Sequence, residues 1–169
     1  MRIIKSEKVS EKKLYILRGP SGTGKSTLAK ELGAEEVCSA DNFYMEDGVY
    51  NFDPNQIGNA HGQCKGKTKD AMRSGVSPIA VDNTFTKAVE IKPYILLAKT
   101  YGYTVEFIEP DWSDELRNED GTWNADFIEE QQKNPDRVKM NKSLPRNIID
   151  KMINRYQYDL TPDNILKSD

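Results

Sequence analysis

The 169-residue sequence predicts one α/β domain: a three-layer sandwich with a parallel sheet of four to five strands and a helical lid. Three observations predict it. Short apolar runs alternate with helix-like segments, as parallel βαβ units require. A glycine-rich loop at residues 19–26 sits between the first such run and the first helix. Polar clusters fall where the runs end, on the edge where open parallel sheets hold ligands.

Residues 14–18, Leu-Tyr-Ile-Leu-Arg, form an apolar run that stops at Gly19, as a buried strand does. Residues 25–32 read as a helix, with Gly33 at the position of a C-terminal cap. Residues 37–39 are a weaker strand leading to Asp41. Asp53-Pro54 opens a second helix, a carboxylate cap followed by proline at the first helical position. That helix is expected to run to about Ser74 and stop at Gly75. Residues 77–81 give a third strand ending at Asp82. A helix over 86–101 is expected to be interrupted at Pro93 and closed by Gly102. Residues 103–108 make a fourth strand, stopped by Pro110. A helix around 125–132 follows. Pro145 then opens an amphipathic helix with Ile148, Ile149, Met152, Ile153 and Tyr156 on one stripe.

Composition narrows the function classes. Charged residues make up 30% and apolar residues 37%, a soluble globular profile. No run approaches the ~18 apolar residues of a membrane span. The first residues lack the apolar core of a secretory signal. Cys38 and Cys64 are too few for a disulfide framework, and no CxxC or Cys/His cluster suits zinc. His61 is the sole histidine, so a Ser-His-Asp site has no other base to use. A reducing, cytoplasmic setting is expected. The net charge of −3 conceals an asymmetry: residues 106–136 hold eleven acids against two bases, which leaves the rest of the chain basic. Overall acidity therefore does not exclude a polyanionic substrate.

Residues 19–26, Gly-Pro-Ser-Gly-Thr-Gly-Lys-Ser, satisfy the phosphate-loop pattern G-x-x-x-x-G-K-[ST]. Gly19, Gly22 and Gly24 let the backbone wrap, so that N–H groups of Ser21, Thr23 and their neighbours face a phosphate. The following helix, with Thr27 in its first turn, adds its N-terminal dipole. Lys25 brings a charge to the β- and γ-phosphates, and the Ser26 hydroxyl suits Mg²⁺. The Asn-Lys-x-Asp reader of guanine-nucleotide switches is missing, since Asn141-Lys142 continues as Ser143-Leu144. No Leu-Ser-Gly-Gly transporter signature occurs, and the chain is short for a ring ATPase. A small phosphotransferase is the reading left.

Such an enzyme needs a base for its acceptor hydroxyl and cations for the transferring phosphoryl group. Asp41, after the second strand, is the candidate base. Asp82-Asn83-Thr84 is a second polar cluster, able to hold the acceptor, a metal-bound water or the orientation of Asp41. In the lid, residues 111–145, Arg137 is the candidate for stabilising transition-state charge, with Lys139 and Lys142 as substitutes. The substrate-facing segment, 42–75, carries Phe43, Tyr44, Tyr50 and Phe52, then His61 and the cations Lys65, Lys67, Lys69 and Arg73. Stacking residues beside cations suit a single strand or an extruded base. Gly58, Gly62 and Gly66 share one helix face and suggest close approach of another backbone element.

Together, Gly-Pro-Ser-Gly-Thr-Gly-Lys-Ser-Thr, Ser-Ala-Asp-Asn-Phe-Tyr, Ala-Val-Asp-Asn-Thr and Asn-Lys-Ser-Leu-Pro resemble the small P-loop kinases of the bacteriophage polynucleotide kinase type. Zeta-toxin kinases and a eukaryotic group of small P-loop proteins share the outline. The likeness runs from about Leu14 to Tyr156. It implies ATP with Mg²⁺ and γ-phosphoryl transfer to a hydroxyl. It also implies Asp41 as general base, Lys25 and Ser26 as phosphate and metal ligands, Asp82 as an acceptor-side carboxylate and Arg137 as the lid arginine. One departure stands out. Kinases acting on 5′ ends often carry an arginine three residues after the base, and here that residue is Tyr44, which cannot make a bidentate phosphate contact. This weighs against a strict 5′-end reaction. It leaves open a base hydroxyl, such as the hydroxymethyl group of a modified pyrimidine in phage DNA. The expected partner is nucleic acid, DNA before RNA, with no membrane. The rivals are a kinase of a nucleoside, nucleotide-sugar or other small metabolite, and a weak ATPase acting as a regulatory module.

Overall fold

The structure is a computed structural model that describes residues 1–5 and 11–165. Its strands, in chain order, are β1 (Arg2–Lys5), β2 (Lys13–Leu17), β3 (Glu36–Cys38), β4 (Met45–Glu46), β5 (Val49–Tyr50), β6 (Ile79–Asp82) and β7 (Thr104–Glu109). Its α-helices are α1 (Lys25–Glu31), α2 (Ile57–Arg73), α3 (Ala88–Tyr101), α4 (Ala125–Gln131), α5 (Pro135–Lys139) and α6 (Arg146–Arg155). Five strands form the main sheet in the order β1-β7-β2-β6-β3. Four of them are parallel, as expected. β1 is antiparallel to β7, pairing Ile3 with Ile108 and Ile4 with Phe107, so the sheet is mixed. Two isoleucines flanked by an arginine and a lysine are too short a pattern to predict that strand. Pairing with a distant edge makes it one.

Side-chain alternation sets the layers. Leu14, Ile16, Ile79, Val81, Val105 and Phe107 face α2 and α3, where they meet Cys64, Ile91 and Ile95. Tyr15, Leu17, Ala80 and Ile108 face α1 through Leu28 and Ala29. Fully burying a side chain such as Leu14 or Ile16 is worth about 1.5–3 kcal/mol. The lid has its own cluster of Leu116, Trp123, Ile128, Ile149 and Tyr156. Arg18 joins the lid to the sheet. Its buried guanidinium donates to the carbonyls of Phe85 (2.9 Å) and Gln157 (2.8 Å) and lies 4.4 Å from the Tyr156 ring centroid. The Tyr156 hydroxyl in turn donates to Glu109 at 2.6 Å.

Two local expectations change, and one hairpin adds to them. Asp53 caps a 3-10 turn at Pro54–Gln56, accepting from the Asn55 N–H at 2.9 Å, and the α-helix begins only at Ile57. α3 runs through Pro93 without a break. The carbonyl deprived of its partner there belongs to Val89, an exposed residue of the first turn. Met45–Tyr50 is a hairpin turned by Asp47-Gly48, both at positive φ, as that dipeptide favours. No helix among the described residues is long and apolar enough to cross a membrane.

Both cysteines are free and buried, and burial pushes the Cys38 thiol up to about 11. Both should stay protonated and shielded near neutrality. Titration of the native protein with a thiol-specific disulfide reagent at pH 8 is expected to find almost no reactive thiol. The urea-unfolded chain should show two.

Candidate active site

The phosphate loop is shaped by glycines where L side chains are strained: Gly19, Gly22 and Gly24 have φ of 150°, 89° and 93°. Its carbonyls turn outward and are bonded there. Gly19 and Pro20 accept from the Lys25 ammonium (2.7 and 3.2 Å), and Pro20 also accepts from the Thr23 hydroxyl (2.8 Å). The Gly24 carbonyl accepts from the Leu28 N–H and so starts α1. Lys25, Ser26 and Thr27 open that helix, with its N-terminus aimed at the loop.

At the carboxyl edge of the sheet, Asp82 accepts from the Ser26 hydroxyl at 3.0 Å. A hydroxyl and a carboxylate side by side at the mouth of a phosphate loop are hard oxygen donors of the kind Mg²⁺ takes. No cluster of three or more His, Cys, Asp or Glu forms a metal cage among the described residues. Burial lowers the Lys25 pKa, and Asp82 and Asp41 offset part of that. Burial likewise raises the Asp82 carboxyl, partly offset by Lys25 and Ser26. Asp41 lies on a 3-10 turn over Ala40–Tyr44, capped by Ser39, and pairs with Lys142 of the lid at 3.6 Å. Asn83 sets that turn in place. Its Oδ1 accepts from the Ala40 N–H at 2.9 Å while its Nδ2 contacts Cys64 Sγ at 3.6 Å. Its side chain therefore works on the turn that carries Asp41.

The lid also reaches the loop. The Arg137 Nε lies 3.4 Å from where a Cβ on Gly22 would stand, so the candidate lid arginine does reach the loop. Burial lowers its pKa, partly offset by Asp41 and Asp82. Lys139 is exposed on α5. Two contributors carry no motif in the sequence. Gln132 donates to the carbonyls of Ser21 (2.9 Å) and Ile128 (3.2 Å), while its Oε1 accepts from Arg137 Nε (3.2 Å) and the Leu144 N–H (3.1 Å). The Trp112 indole N–H donates to the Thr23 carbonyl at 2.9 Å. These bonds span 111 and 89 residues of chain, beyond any local pattern.

The acceptor-side expectations divide. His61, Lys65 and Asn83 line one cleft of about 310 Å³ between α2 and α3, with Phe85, Glu90 and Tyr94. Tyr44 is only 7% exposed, enclosed by Phe43, Tyr50 and Phe52. It serves as core there, and its ring offers no open face to a base. Phe43 packs partly buried against the same core. The member open to solvent is Phe52, 53% exposed. Among the described residues no backbone approaches the glycine stripe. A Cβ on Gly58, Gly62 or Gly66 would meet no atom within 4 Å, and Gly58 and Gly62 instead line the cleft. Lys65, Lys67, Lys69 and Arg73 are all exposed on α2.

Residues 14–120 match the protein family described as AAA domain. The chain is similar to human NEDD4-binding protein 2, 39% identical over 102 residues, a stretch covering 58% of this chain and 6% of that protein. In fold it is similar to a chain of the Pnkp1/Rnl/Hen1 RNA repair complex, with a TM-score of 0.64 and 17% identity over 90% of this chain and 46% of the other. It is also similar to a candidate kinase from Chloroflexus aurantiacus, with a TM-score of 0.60 and 20% identity over 90% of this chain and 84% of the other. The chain thus spans a small part of the human relative and about half of the repair-complex chain. The mostly parallel sheet, its helices and the phosphate loop make a P-loop kinase-like fold.

Gln132 is the joint between loop and lid. Gln132→Ala removes two donors and one acceptor from a buried site and leaves the Ser21 carbonyl and Leu144 N–H without this partner. A loss of about 1–3 kcal/mol is expected, read as a lower urea midpoint with an unchanged slope.

Proposed function

We propose that this chain, which belongs to the AAA domain family, is an ATP- and Mg²⁺-dependent kinase that phosphorylates a hydroxyl on a nucleic acid. The observation that carries the reading is the meeting of Lys25, Asp82 and Asp41 at the mouth of the loop, close enough that both carboxylates support the lysine's charge. Buried cations with depressed pKa values await an anion, and a polyphosphate supplies one.

In this mechanism the loop N–H groups and Lys25 hold the β- and γ-phosphates. Ser26 and Asp82 would hold Mg²⁺, and the ion would supply positive charge against the phosphate oxygens. The acceptor oxygen forms its bond to the γ-phosphorus as the bond to the ADP oxygen breaks, and Asp41 takes the hydroxyl proton. For that, Asp41 must exchange Lys142 for the acceptor, and their contact at 3.6 Å, with Asp41 half-exposed, makes the exchange easy. Arg137 stabilises the charge on the transferring group. Nucleic acid as the acceptor is supported by the exposed cations of α2 running from the cleft that holds His61 and Lys65. The cleft volume of about 310 Å³ favours a second reading, a small phosphorylatable metabolite.

Transfer of labelled γ-phosphate to a panel of acceptors tests the proposal. The panel holds 5′-hydroxyl DNA and RNA, end-blocked DNA containing hydroxymethylpyrimidine, and free nucleosides. Labelling of a nucleic acid supports it, and labelling of nucleosides alone transfers the case to the metabolite kinase. Lys25→Ala should abolish transfer in a folded protein. Asp41→Asn should slow it by about 10²–10⁴-fold with ATP affinity little changed. Collapse of nucleotide affinity in Asp41→Asn would instead make Asp41 an organiser of metal or phosphate.

A further inference from the structure

Phosphoryl transfer is in line: the attacking and leaving oxygens lie on opposite sides of the γ-phosphorus. The acceptor machinery of this fold lies to one side of the phosphate loop. Asp82 ends β6 and Asp41 follows β3, and both strands stand on the same side of β2, whose end begins the loop. A donor held by that loop must therefore send its nucleoside the other way, over the end of β7. The first large side chain beyond β7 on that side is Trp112.

Trp112 is unusual among the exposed apolar side chains. It is 59% exposed, yet its indole N–H is tied to the loop backbone at Thr23. The nitrogen stands 3.1 Å from where a Cβ on Gly24 would be, so the ring lies directly against the loop. Phe127 braces it at a tilt of 48°, with ring centroids 5.7 Å apart. A ring anchored by its edge, braced by a second aromatic and still largely open to solvent is preorganised for stacking. The chain's other tryptophan, Trp123, is buried under Arg117 and has no such freedom.

We propose that Trp112 is the platform on which the base of the donor nucleotide stacks. The proposal rests on the reading of the loop as a nucleotide site and adds to it the residue that holds the base. Stacking needs only a π-face, so the platform supplies affinity for a nucleobase and little choice between purines.

Calorimetric titration with MgADP, with MgATP and with magnesium tripolyphosphate separates base from phosphate binding. Trp112→Ala should weaken MgADP by roughly ten- to a hundredfold and leave tripolyphosphate within about twofold. Trp112→Phe deletes the N–H but keeps a ring, and should retain MgADP affinity within a fewfold of wild type. Equal weakening of both ligands would mean that Trp112 only shapes the loop through Thr23, and the platform is overturned. So would an unchanged MgADP affinity in Trp112→Ala, or a Trp112→Phe protein as weak as the alanine variant. A wild-type protein that binds tripolyphosphate as tightly as MgATP overturns the platform but keeps the phosphate loop. One that binds neither overturns the nucleotide reading itself.

Discussion

A loop that turns its N–H groups toward a ligand must turn its carbonyls outward, and those carbonyls need donors of their own. The architecture around residues 19–26 answers that constraint. Lys25 and Thr23 serve the carbonyls of Gly19 and Pro20 from within the loop, and Leu28 serves Gly24 from α1. The remaining donors come from far along the chain, Gln132 to Ser21 and Trp112 to Thr23. The lid is therefore part of the loop's own hydrogen-bonding, and its separate apolar cluster gives those donors a firm base. Because Gln132 also accepts from Arg137 and Leu144, a single amide joins the loop to the lid arginine.

Charge is arranged with the same economy. Lys25, Arg137 and Lys142 face Asp41 and Asp82 in a partly buried space, so the site holds more positive than negative charge. Burial lowers the pKa of Lys25 and of Arg137, the two carboxylates offset part of that, and a bound polyphosphate would favour both cations further. Asp82 stands with Ser26 through their 3.0 Å contact, and in the proposed mechanism that puts it on the metal side. Asn83, its neighbour, turns toward the loop that carries Asp41. Adjacent residues at one strand end thus serve the two halves of one site.

The sequence by itself determined the alternation of strand and helix, the phosphate loop and the polar ends of the strands. These are local: an apolar run of five residues, a Gly-Lys-Ser before a helix and an aspartate after a strand each carry their meaning in a few positions. The meeting of Lys25, Ser26, Asp41 and Asp82 at one edge of the sheet is legible for that reason, and the nearness of Arg137 to the loop because it stands out as a cation beyond an acidic stretch. The Asp47-Gly48 hairpin was equally local and could have been read from its dipeptide.

Only the tertiary structure decided the rest. β1 exists because β7 offers an edge, and four residues with two isoleucines do not announce it. Tyr44 became core because Tyr50 and Phe52 fold back over it. Gly58 and Gly62 of α2 became the wall of a cleft because no backbone among the described residues came to meet them. Gln132 and Trp112 gained their roles from donors and carbonyls more than eighty residues apart, as the separations of 111 and 89 show. An amide and an indole in an acidic stretch look like surface in a sequence. What makes them part of the site is the need of a distant carbonyl for a donor, a need that arises only once the chain has brought the two together.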